Sequence, residues 1–92
     1  MLDEKVHKLI RKIRKQKKDI TDDYYDWFRI GCALAHEYGK DEGLRLFHMV
    51  SLYSPKYYPT DCDEQFAKCM RCQNIGIETF LWICKKHGVT FK

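Results

Sequence analysis

The chain has 92 residues, 45% hydrophobic and 33% charged, with only two prolines and five glycines. That is the length of one small domain with a single core, too short for a catalytic domain plus a cofactor domain and too apolar for wholesale disorder. The net charge is +4, but residues 1–18 hold eight Lys or Arg against Asp3 and Glu4, a net +6, while the rest holds nine basic and eleven acidic residues, a net −2.

The first helix is expected from about Asp3 to Lys17. Leu2, Val6, Leu9, Ile10 and Ile13 recur every three or four residues and form one face. Asp3 and Glu4 at its start and lysines at its end suit the helix dipole. The polar face makes this segment a candidate contact for a polyanion. The plainer reading is a solvated helix face.

A second helix is expected to begin near Asp19 or Thr21, with Thr21 as N-cap and Asp22 and Asp23 in the first turn. Tyr24, Trp27, Phe28, Gly31, Leu34, Ala35 and Tyr38 form its stripe, and Gly39 is its expected stop. Gly31 in mid-helix implies close approach by another helix or a large side chain. A third helix should run from Asp41 to about Leu52, with Leu44, Phe47 and Val50 inward, and His48 beside them as a hydrogen-bonded histidine.

Pro55 and Pro59 force the residues before them into extended conformations, so 54–59 is a loop. Thr60 or Asp61 opens a fourth helix with Cys62, Phe66, Cys69 and Gln73 on one face. A fifth should cover Ile77 to His87, closed by Gly88, with Val89, Thr90 and Phe91 tucking back. The sum is an all-α fold, a compact single-domain bundle of about five helices. Its core is expected to centre on Trp27, Phe28, Leu34, Phe47, Phe66 and Phe80.

The longest apolar run, Phe80 to Cys84, is far below the roughly 20 residues of a membrane span. No secretory signal is read at the N-terminus. Five cysteines, an odd number, argue for free thiols in a reducing cytoplasm. Cys69, Cys72, Cys84 and His87 spell C-x2-C-x11-C-x2-H, a spacing that tetrahedral zinc accepts. Cys69 and Cys84 occupy core positions of helices, however, and no Gly or Pro shapes a knuckle around the first pair. The expectation is therefore no metal and no cofactor. No glycine-rich phosphate loop and no nucleophile with a base can be read, so the chain is not expected to be an enzyme or to take a small-molecule substrate.

The loop around Lys56 and Tyr57 joins tyrosines to a lysine, a combination that can stack on bases and meet a phosphate. The plainer reading is that the tyrosines cover the end of the bundle. The candidate nucleic-acid-binding residues are thus Lys8, Arg11, Lys12 and Lys15 on the first helix, with Lys56 and Tyr57 in the loop.

Tyr24, Trp27, Gly31, Ala33 and Leu34 follow a Tyr-x-x-Trp-x-x-x-Gly-x-Ala-Leu pattern. This resembles the opening of helical primase C-terminal domains of the second type. Gly43, Phe47, Ser51, Lys56 and Tyr57 are similar to the elements that follow, and the likeness runs through residues 19–88. Phe47 stands where a tryptophan is common and Cys84 where alanine is common. The version it looks closest to is that of mobile-element, virulence-associated protein E-like proteins. The resemblance implies an accessory domain of a primase-helicase, at 19–92, reached through a basic helix at 1–18 that serves as a connector or a binding face. Its implied partners are single-stranded or duplex DNA and neighbouring primase and helicase domains. The alternative is an interdomain or protein-interaction module with no nucleic-acid contact.

Overall fold

Gly39 decides how the helices are counted. The computed structural model describes residues 2–72 and 74–90, and among them are four helices and no strand: α1 (Leu2–Gln16), α2 (Tyr24–Ser51), α3 (Pro59–Cys69) and α4 (Ile77–Lys86). The second and third expected helices are two halves of α2, so the expectation of five is corrected to four. The break between them is at Gly39, whose φ of 79° and ψ of −169° interrupt the helical backbone. Nothing lies within 4 Å of a Cβ built there. The backbone angles, rather than crowding, are what require glycine. The expected placements of Gln73 and Phe91, and of the Leu2 side chain, lie outside the described residues.

The start of α2 also differs from expectation. Its N-cap is Asp23, whose carboxylate accepts from the Tyr25 and Asp26 N–H groups at 2.8 and 3.1 Å. Those bonds, the one from Asp26 foremost, hold the Asp23 carboxyl below its usual value. Thr21 is two residues too early to cap. Asp19 accepts instead from the Thr21 N–H at 2.8 Å and from its hydroxyl at 2.7 Å. This Asx-type turn brings Ile20, a lone apolar residue in a polar linker, into the core.

Phe47 stands at the centre of the core. It is fully buried, stacks on Trp27 at 5.7 Å between ring centroids and meets Phe66 at 5.6 Å. Val6, Leu9, Ile10 and Ile13 of α1 and Phe80, Ile83 and Cys84 of α4 join the same cluster. Trp27 is half-buried at the edge, where its indole N–H donates to Ser51 Oγ at 2.9 Å. Phe28 is half-buried and outside the cluster.

Gly31 is where α3 meets α2. A Cβ at that position would sit 2.4 Å from Cys69 Sγ and 3.2 Å from the Phe47 ring. The expected reason for a mid-helix glycine, close approach by a neighbour, is therefore met by Cys69 and Phe47 together.

Three ties close the bundle. Asp26, almost fully buried at the start of α2, lies 2.7 Å from Lys86 Nζ at the end of α4, with His87 Nε2 at 3.7 Å and Arg29 at 4.0 Å. At the other side, the Tyr38 hydroxyl donates to Asp3 at 2.9 Å and the Lys12 ammonium donates to the Thr90 carbonyl. Helix α4 ends in a Schellman arrangement. Gly88 has φ of +83°, its N–H reaches Lys85 O at 3.0 Å, and the buried Val89 reaches Cys84 O at 2.8 Å.

Candidate functional site

Two surfaces gather the residues singled out in the sequence, and they are distinct. The first is α1. Its apolar face is buried: Val6, Leu9, Ile10 and Ile13 are each at most 2% exposed. Lys8, Arg11 and Lys15 are exposed, and they fall within about 60° of one another, opposite that face, at about 100° per residue. Lys12 lies on the flank, half-buried, with its ammonium engaged by the Thr90 carbonyl. Three of the four expected helix cations therefore form one stripe, and the fourth fastens the helix to the C-terminal segment.

The C-terminus of α1 is strained. Lys17 has φ of 53°, while the Lys18 N–H reaches Ile13 O at 3.0 Å and the Lys17 N–H reaches Arg14 O at 3.3 Å. This is a Schellman closure with lysine where glycine is usual. It turns the chain sharply at the basic end of the helix.

The second surface is a cavity of about 390 Å³ between the start of α2, the 52–58 loop and α3. Tyr24, Trp27, Ser51, Lys56 and Tyr57, all members of the pattern noted in the sequence, line it. No residue of α1 does. Lys56 and Tyr57 are thus not part of the basic stripe. The cavity also contains three carboxylates (Asp22, Asp61 and Glu64) against two ammoniums (Lys56 and Lys68).

His48 positions the loop. Its Nε2–H donates to Asp63 at 2.7 Å, and in the neutral ring Nδ1 accepts from the Tyr57 hydroxyl at 2.8 Å. Desolvation pushes the Tyr57 phenol above its usual value, and Cys62 and Asp63 nearby add to this. The Trp27–Ser51 bond holds the opposite wall. Gln65, 4% exposed, accepts from the Tyr24 hydroxyl at 3.3 Å, but its amide nitrogen has no hydrogen-bond partner. A buried donor without an acceptor costs about 1–3 kcal/mol. Tyr24, Gln65 and Lys68 were not picked out as site residues by sequence reasoning. Tyr24 was visible in the family pattern, whereas Gln65 and Lys68 carry no signal without the packing of α3.

The four residues of the zinc-like spacing are not gathered. Among the described residues no group of three or more His, Cys, Asp or Glu side chains is arranged to hold a metal ion. Cys69 packs on Gly31 and its thiol donates to the Phe28 carbonyl at 3.4 Å, and Cys84 is fully buried. Burial is the main cause that pushes the Cys69 thiol up to about 11 and Cys84 to about 12. All five cysteines are free thiols. No helix among the described residues is long and apolar enough to cross a membrane.

The described residues thus form a four-helix globule with a cationic stripe on α1 and an aromatic cavity between α2 and α3. The family described as Primase C terminal 2 (PriCT-2) matches residues 9–84. The chain belongs to that family, and is a primase-associated C-terminal domain. No curated protein and no solved structure matches it.

Proposed function

We propose that this PriCT-2 domain is a non-catalytic module of a primase-helicase type replication or mobilisation protein, of the virulence-associated protein E-like kind, and that it touches nucleic acid through α1. It works beside the primase and helicase domains of that protein. The observation that carries the reading is the stripe of Lys8, Arg11 and Lys15, exposed on the face opposite a fully buried apolar one. Cations spaced along a rigid helix meet phosphates and read charge rather than base edges, so contact is weak and insensitive to sequence.

Three phosphates of a single strand correspond to a log–log salt slope near −2. Fluorescence anisotropy of a labelled oligonucleotide, titrated with salt, is the experiment. Binding is expected at low salt, nearly gone at physiological salt, and flattened in slope by Lys8→Glu, Arg11→Glu and Lys15→Glu together. Lys56→Ala matters less, because that lysine lies off the α1 stripe, in a cavity it shares with Asp22, Asp61 and Glu64. Absence of binding at about 20 mM salt, where screening is weak, would instead make α1 a connector between domains.

A further inference from the structure

The cavity between α2 and α3 has a chemistry of its own, independent of α1. Its walls are aromatic, with Tyr24, Trp27, Tyr57 and Tyr58 around it. Tyr24 and Tyr58 are 56% and 62% exposed, so ring faces are available to a ligand. The charge is the discriminating feature. Asp22, Asp61 and Glu64 outnumber Lys56 and Lys68 on its walls. A polyphosphate chain would meet more repulsion than attraction here. A cation with a planar face would gain from both the rings and the carboxylates. Gln65 adds a second, independent requirement: its buried amide nitrogen is a donor with no acceptor. An amide carbonyl supplies that acceptor.

We propose that this cavity receives an arginine side chain from a basic polypeptide segment, as a protein-docking site on the side of the domain that α1 does not use. The guanidinium lies against the tyrosine and tryptophan rings, within reach of Asp61 and Glu64, and a main-chain carbonyl of the segment accepts from Gln65. Arginine is preferred to lysine because its planar fork stacks on rings and pairs with carboxylates at the same time.

The whole 92-residue chain carries two tryptophans, and Trp82→Phe leaves Trp27 as the sole reporter in the cavity wall. The probe is a short peptide of alternating arginine and serine, blocked at both ends, with its lysine counterpart and an oligo-thymidine strand as comparisons. The proposal expects a saturable change in Trp27 emission with the arginine peptide, tighter than with the lysine peptide. Asp61→Asn with Glu64→Gln, both exposed positions, should weaken it about three- to tenfold. Lys8→Glu with Arg11→Glu should leave it no weaker, which separates this site from the α1 reading. No saturable change, or tighter peptide binding after Asp61 and Glu64 are neutralised, overturns the proposal. So does a Trp27 response to the oligo-thymidine strand alone, which would make the cavity a base-stacking site. A concentration-dependent dimer that shields Trp27 would give the cavity to a second copy and overturn it as well.

Discussion

Alanine at Gly31 tests the packing of α3 on α2. In an exposed helix interior Gly→Ala is stabilising by about 1 kcal/mol, since alanine gives up less backbone freedom on folding. Here the new methyl would meet Cys69 Sγ at 2.4 Å and Phe47 ring carbons at 3.2 Å. The sulfur contact is too close to persist, so Cys69, which is fully buried, must shift. Overpacking of this kind costs about 1–3 kcal/mol, so after the gain of about 1 kcal/mol the net expectation is a loss of up to about 2 kcal/mol. Cys69→Ala removes the obstructing sulfur. In that background Gly31→Ala should cost close to nothing, giving a favourable coupling of up to about 2 kcal/mol between the two sites. Urea denaturation followed by circular dichroism on the four members of the cycle measures this. A stabilised Gly31→Ala protein, or an equal cost in both backgrounds, would refute the close approach of α3 to α2 at this residue.

Other consequences can be checked in the same way. Lys17→Gly should raise stability by roughly 0.5–1 kcal/mol, because glycine relieves the positive φ that closes α1; urea midpoints decide it. Lys86→Met should cost about 1–3 kcal/mol by leaving the buried Asp26 carboxylate short of its nearest cation, and part of that should return when Asp26→Asn is added. Trp27→Ala should cost about 2–4 kcal/mol, less than a fully buried tryptophan, since it loses the Phe47 stack and the Ser51 bond but already faces solvent. Burial holds the Cys84 proton up to about 12 from an ordinary 9.0, so the folded chain keeps a proton that the unfolded chain releases. That contribution is fully present below about pH 9 and is lost as pH rises towards 12; stability measured from pH 8 to 10.5 should fall, and fall less steeply in Cys84→Ala.

Much of the helical layout was legible because period-3.6 patterning and stop signals agree. Val6, Leu9, Ile10 and Ile13 marked the buried face of α1, and Gly88 marked the end of α4. What periodicity does not report is hydrogen bonding across a glycine. Gly39 was visible as a break, but whether the chain departs there or resumes the same helix depends on the packing of both halves around Phe47. The cap at Asp23 was hidden among four nearby acceptors, Asp19, Thr21, Asp22 and Asp23, and the Asx turn at Asp19 decides between them. Trp27 was placed too deep because aromatic size suggests a core centre, while its N–H needs Ser51 and keeps the ring at the edge. For the candidate sites, charge runs give the stripe on α1 directly. That Lys12 would be engaged by Thr90, and that Lys56 would sit among carboxylates, follows only from tertiary contacts between segments distant in sequence.

The nucleic-acid reading of α1 is tested most directly by amide chemical-shift mapping of the 92-residue chain with a short oligo-thymidine strand at about 20 mM salt, where exposed charges are weakly screened. The account predicts that the shifts concentrate at Lys8, Arg11 and Lys15, shrink as salt is raised, and leave Tyr57 and Lys68 unmoved. Shifts gathered at Tyr57 and Tyr58 with α1 silent, or no shifts at all, would contradict it.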